Sequence, residues 1–192
     1  MSVVSQLAEL AEQVAGCTRC RLSQSRTQTV FSRGDPAAGL VFIGEGPGAE
    51  EDKQGLPFVG RSGQLLDRLV AEEIGLDRAQ VFVVNVVKCR PPGNRDPKED
   101  EVAACTPYLE AQLEITSPAV IVTLGNFATR FMLGTTEGVT RLRGRGYPKG
   151  DAVVVPTFHP AAALRGGGDV LAAMRADLVR AKEILVAGGH LV

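Results

Sequence analysis

Four cysteines, a lone amide in an apolar run, a histidine before a proline and a glycine-rich acidic loop are the residues of this chain whose types and spacing could do chemistry. The cysteines form two groups, Cys17-x2-Cys20 near the start and Cys89 with Cys105 in the middle. An intracellular α/β protein seldom uses disulfides, so metal ligation is the better expectation. By number alone, four thiolates suit zinc or a [4Fe–4S] cluster equally. The plain alternative makes Cys89 and Cys105 ordinary buried thiols. The spacing leaves no open ligand position, so the expected role is structural, a staple between the N-terminal segment and the middle of the sheet.

Asn85 stands within the otherwise apolar run 81–87, at the carboxyl end of the strand read there. A buried amide must find partners, and it offers both a donor and an acceptor. It can tie down a loop or read the edge of a small heterocycle. His159, in Thr157-Phe158-His159-Pro160, is one of two histidines, and the other, His190, lies in the C-terminal tail. The loop Gly44-Glu45-Gly46-Pro47-Gly48-Ala49-Glu50-Glu51-Asp52 follows the first apolar run. Its glycines let backbone approach a ligand and expose N–H groups. Pro47 and the acids Glu50, Glu51 and Asp52 argue against a pyrophosphate cradle, and no GxGxxG is present. Farther on, Phe58 stands beside a turn that opens a helix, where free N–H groups near Ser62 could bind a phosphate. Taken alone, Phe58 reads as core packing.

These residues need a frame. Apolar, β-branched runs at 39–43, 81–87, 119–124 and 153–157 are too short for helices and too continuous for one-sided strands. They read as buried parallel strands. Helical patterns precede and separate them: 3–15, from Ser62 to about Glu73, from Asp96-Pro97-Lys98-Glu99 onward with Asp96 as cap, after Gly125, and Asp169 to Val186. The expected fold is α/β, a three-layer α/β/α sandwich around a four-stranded parallel sheet in one domain, residues 1–192. In such folds ligands gather at the carboxyl ends of the strands, where Glu45, Asn85 and His159 all fall.

Composition narrows the classes further. Hydrophobic residues make up 44% and charged residues 22%, enough for a core and against disorder. No apolar run approaches the ~20 residues needed to span a bilayer, and the start MSVVSQLAELAEQ lacks the basic opening of a signal peptide. A soluble, cytoplasmic, monomeric protein is expected. Net charge is −1, yet residues 130–165 hold six basic against two acidic side chains, and 88–98 hold four against one. Such patches can neutralise backbone phosphates, or be solvated loops.

Taken together, the segments GEGPGAEEDKQGLPFVGRSGQLL, NVVKCRPPGNRDP, TLGNFA and PTFHPAAALR, with the four cysteines interleaved, resemble family 4 uracil-DNA glycosylases, the iron–sulfur type. The resemblance spans Cys17 to about Arg165. It implies a structural [4Fe–4S] cluster on Cys17, Cys20, Cys89 and Cys105, and uracil-containing DNA, double- or single-stranded, as partner. It implies that Phe58 stacks on a flipped uracil, that Asn85 bonds its Watson–Crick edge, and that backbone near Gly46 holds its carbonyls. His159 would stabilise the developing negative charge on O2. Glu45 and Glu51 are candidates to orient water or steady the sugar cation. Ser62, Leu164 and Arg165 would contact DNA, Leu164 as the wedge in the loop 160–165.

Two departures are informative. The best-known uracil-DNA glycosylases carry an Asp two residues after the first Gly of the acidic loop, and here that place is Gly46. The water-activating group is therefore open. A related branch attaches covalently to DNA through a histidine in an inserted basic loop, and residues 134–158 contain Arg141, Arg143 and Arg145 but no histidine. Turnover is the expectation. Rival readings are a non-catalytic uracil-DNA or single-stranded-DNA binding module, an electron-transfer protein and a zinc-stapled nucleotide hydrolase. The electron-transfer reading lacks any flavin or dinucleotide fingerprint.

Overall fold

Period-two alternation within the apolar runs decides the architecture. Along β2 (Leu40–Gly44), Val41 and Ile43 point into one core and Leu40 and Phe42 into another. The same split holds for β3 (Phe82–Asn85), with Phe82 and Val84 on one side and Val83 on the other. Strands buried on both faces read as continuous hydrophobic runs, which is why the sequence shows no polar alternation there. The computed structural model describes residues 1–191.

The sheet has six strands in the order β1-β3-β2-β4-β6-β5, completed by β1 (Arg33–Gly34), β4 (Val120–Leu124), β5 (Tyr147–Lys149) and β6 (Ala152–Thr157). The expected four-stranded parallel sheet is its centre, β3-β2-β4-β6. The count of four needs correction, because β1 and β5 add antiparallel edges. At two and three residues, those edges are too short to show a pattern.

One outer layer holds α1 (Val3–Ala15), α4 (Glu99–Thr116) and α5 (Asn126–Leu133), which share a core with Val41, Ile43, Phe82 and Val84. The other holds α3 (Arg61–Leu69) and α8 (Gly168–Ala187), packed on Leu40, Phe42, Val83 and Val122. Of the short helices α2 (Ala49–Gln54), α6 (Val139–Leu142) and α7 (Pro160–Gly166), α6 packs on β6 and α7 on α3 and α8. Among the described residues no helix is long and apolar enough to cross a membrane.

Three local expectations change. Helix α3 ends at Leu69 and continues as a π-turn, Val70–Ile74, closed by Gly75 in the left-handed region at φ 86°. Its Glu72 and Glu73 are held by Arg175 of α8. Asp96 does not cap α4: the helix starts at Glu99, and the Glu101 carboxylate accepts the Lys98 backbone N–H at 2.8 Å. The Glu101 half of a capping box thus exists, two residues later than the Asp-Pro-Lys-Glu pattern suggested. The stretch 160–165 is not a loop but most of α7, with Pro160 at its first position and alanines following, both good helix starters.

Candidate active site

Strand order reverses around β2, since β3 joins it on one side and β4 on the other. Crevices in parallel sheets open at such points, beyond the carboxyl ends of the strands. Here a cavity is lined by Glu45, Gly46 and Glu51 after β2, Asn85 at the end of β3, Gly125 after β4 and His159 after β6. Phe58, Ser62, Asp96 and Arg165 complete its wall. Of the expected base-handling and DNA-contact residues only Leu164 lies outside it, on α7, with 44% of its surface exposed.

Asn85 is 1% exposed, and its side-chain Oδ1 has no hydrogen-bond partner. An orphaned buried acceptor is costly, and this oxygen is free to accept from an incoming donor. Its setting depends on Gly44. A Cβ there would lie 2.3 Å from Asn85 Oδ1 and 2.7 Å from Phe58 Cε2, so only hydrogen fits between amide, ring and strand. Phe58 itself adopts φ 54°, an unusual value for an aromatic residue. Its carbonyl packs directly against Gly63 of α3, where any Cβ would collide with it at 1.7 Å. Such strain persists where surroundings enforce it, and it marks functional positions.

The Phe58 and His159 rings stand 5.7 Å apart, centroid to centroid, and tilted by 33°. His159 Nδ1 accepts the backbone N–H of Ala161 at 3.1 Å, which places the ring proton of the neutral form on Nε2. Burial lowers its pKa to about 4, with Arg165 adding to the effect and Glu51 opposing it. The imidazole is thus neutral at physiological pH.

The two candidate carboxylates differ in their surroundings. Glu51 Oε1 accepts the backbone N–H groups of Val59 and Gly60, each at 2.9 Å, and so ties the acidic loop to the Phe58 turn. Glu45 lines the cavity, and burial, then the nearby Asp96 charge, raise its pKa to about 7.

Several residues were not foreseen. Asp52 is buried and accepts the Thr27 N–H with both oxygens, at 3.0 and 3.1 Å. Asp177 of α8 accepts from Thr157 Oγ1 at 2.7 Å and from Arg143 at 2.9 and 3.0 Å. Arg143 also stacks over Phe158, 5.6 Å from the ring centroid. One arginine of the expected basic patch is therefore half-buried, bracing the strand end that carries His159. Only three-dimensional proximity could have revealed it.

The four cysteines surround a second cavity, with Arg26, Lys88 and Tyr108 in its wall. Arg26 Nη1 lies 3.3 Å from Cys89 Sγ, and the Lys88 backbone N–H lies 3.3 Å from Cys105 Sγ. Burial pushes the Cys89 thiol up to about 11, against the pull of Arg26, and raises Cys105 as well. Among the described residues no group of three or more His, Cys, Asp or Glu side chains is already set to hold a metal ion. Four thiols round an apolar hollow, two of them with N–H donors aimed at sulfur, fit the four-thiolate ligand set that the sequence suggested, since such donors stabilise thiolates.

The sequence has relatives of known family. Residues 31–181 match the uracil DNA glycosylase superfamily. The type-4 uracil-DNA glycosylase of Sulfurisphaera tokodaii is 46% identical over 169 residues, covering 84% of this chain and 77% of that protein. The Thermotoga maritima protein of the same name is 47% identical over 164 residues, 84% of this chain and 85% of the relative. A type-5 uracil-DNA glycosylase of Mycobacterium leprae is 28% identical over 215 residues, 91% and 93% of the two chains. On these matches the chain belongs to the uracil DNA glycosylase superfamily, among its type-4 members.

Proposed function

We propose that this single-domain chain is a monofunctional uracil-DNA glycosylase, which takes uracil out of the helix and hydrolyses its bond to the sugar. The observation that carries the reading is the unpartnered Asn85 Oδ1, held beside Phe58 over Gly44. Uracil presents an N3–H donor next to an O4 acceptor, which match the amide's acceptor and donor. Cytosine presents the reverse, so it would leave the buried amide unpaired and be rejected. Phe58 stacks on the base, offsetting the few kcal/mol that flipping costs.

In the reaction the C1′–N1 bond breaks with its electron pair going to uracil. The oxygen of a water bonds C1′, and its proton passes to a carboxylate. Neutral His159, with its proton on Nε2, donates to uracil O2 and stabilises the developing anion. Glu45 is the better base, being partly ionised near pH 7, while Glu51 already spends one oxygen on two backbone N–H groups. Glu51 instead holds the Phe58 turn in register with the acidic loop. Backbone at Gly46 approaches the base, Arg165 and Ser62 meet phosphates, and exposed Leu164 enters the space left by the flipped base.

The cysteine set fits a [4Fe–4S] cluster held by Cys17, Cys20, Cys89 and Cys105. When bound it supplies structural cross-linking, not chemistry at the base. Incubating iron-loaded protein with an end-labelled oligonucleotide containing one uracil tests the proposal. Uracil release, with strand breakage only after alkali, is the expected result. Binding of uracil-DNA without release would instead favour the recognition-module reading.

A further inference from the structure

We propose that Lys88 is a positioning residue that couples the cysteine cavity to the base-reading amide of Asn85. The inference rests on the proposed uracil and cluster sites, and it concerns what joins them. Lys88 is 1% exposed. Its side-chain Nζ donates to the backbone oxygen of Asn85 at 2.6 Å, while its own backbone N–H donates to Cys105 Sγ at 3.3 Å. Its backbone oxygen accepts the Val30 N–H at 2.8 Å, so the residue is fixed from a third side. The residue also lines the cavity around the four cysteines. One residue thus touches the peptide of Asn85 and a sulfur of the proposed cluster.

A fully buried lysine is unusual, because its head group is costly to remove from water. A methionine would fill the same apolar volume without that cost. Any non-proline residue's backbone would offer Cys105 the N–H; what lysine adds is the side-chain donor at the Asn85 end of the path. A cluster held by four thiolates is anionic, and buried anions need neighbouring donors and cations. Lys88, with Arg26 on Cys89, supplies them. The residue whose backbone N–H serves Cys105 therefore also fixes, through its side-chain Nζ, the strand end from which Asn85 reaches the base. A change at one site is felt at the other through Nζ.

The test is Lys88→Met, compared with wild type as iron-loaded protein. Loss of the charged hydrogen bond should weaken binding of free uracil by about tenfold. KM for a uracil oligonucleotide should rise more than kcat falls, and the midpoint potential of the cluster should move to more negative values. A purely structural lysine would lower the melting temperature while leaving uracil affinity and potential of the iron-loaded fraction unmoved. Either quantity remaining at its wild-type value overturns the coupling. If Lys88→Met does not retain iron, wild type decides: titration with uracil should perturb the visible circular dichroism of the cluster, and a flat response refutes the link. Wild-type excision and brown colour stand on their own, so an active, iron-containing enzyme that fails these tests sinks only the coupling.

Discussion

Gly44→Ala is the sharpest single probe of the site. Gly44 is not in the left-handed region, so alanine brings no backbone strain, and the whole effect comes from the added Cβ. That carbon would lie 2.3 Å from Asn85 Oδ1 and 2.7 and 2.8 Å from Phe58 Cε2 and Cζ. Ordinary carbon contacts begin near ~3.5 Å, so amide and ring must each retreat by about 1 Å. Both are buried, at 1% and 7% exposure, and the open space beside them is the base cavity itself, so any retreat occupies it. Overpacking of this kind costs roughly 1–3 kcal/mol of stability. Catalysis should suffer more, since a misplacement of about 1 Å lowers rates by about 10²-fold. Single-turnover excision on a labelled uracil oligonucleotide measures that loss, with iron content and thermal melting checking that the fold persists. Gly168→Ala is the control, because its Cβ meets nothing within 4 Å and its φ is unremarkable. Excision by Gly44→Ala within threefold of wild type would refute the reasoning that Asn85 and Phe58 grip the base over this glycine.

The pH profile carries a second expectation. Glu45 must be ionised to accept a proton, so excision should rise with pH through about 7. Asp96→Asn should move that midpoint down, while burial keeps it above the usual carboxylate range; a midpoint unmoved in both Asp96→Asn and Glu45→Gln would discount Glu45 as base. His159 has a folded pKa of about 4, below its unfolded value of about 6.5. Its stabilising contribution is therefore complete above the unfolded value and lost as pH falls toward 4, and His159→Asn should flatten that part of a stability–pH curve. Arg143→Met strands the fully buried Asp177 carboxylate with Thr157 as its remaining partner, and should cost about 3 kcal/mol in chemical denaturation. Cys89→Ser should lose iron and melting temperature together, because metal binding and folding are linked; full iron retention would count against Cys89 as a ligand.

The central strands were legible because burial on both faces leaves continuous apolar runs, while β1 and β5 were hidden by being two and three residues long. Asn85 and His159 stood out because each departs from the apolar pattern at a strand's carboxyl end, the place where parallel sheets gather ligands. Helix α7 carried its own signal, proline followed by three alanines, but its place in a binding segment made it read as a loop. Lys88, Asp96 and Arg143 gave no such signal. Their importance comes from Nζ meeting a carbonyl, one carboxylate facing another, and a guanidinium reaching α8 across 34 positions of chain. Local periodicity encodes which face is buried. It does not encode which polar groups from distant segments will meet there.

The connection from β3 to α4 shows why a metal staple suits this fold. Residues 86–98 hold no regular structure beyond the turn Pro92–Asn94, and connections of that length are ordinarily mobile. Yet Asn85 lies at one end, Asn94 and Asp96 from its middle line the base cavity, and discrimination between uracil and cytosine needs those groups held still. The segment is fixed by several ties: Val86 and Val87 N–H to the β2 end, Val30 N–H to Lys88, Arg90 to Asn94 and Arg95 to Glu101. Cys89 lies within it and Cys105 just beyond, on the helix it enters, facing Cys17 and Cys20 from the N-terminal segment. A cluster held there, as proposed, would remove freedom from this loop, which serves both cavities, without placing a metal near the reacting atoms. A chain of this size has little spare core with which to achieve the same restraint by packing alone.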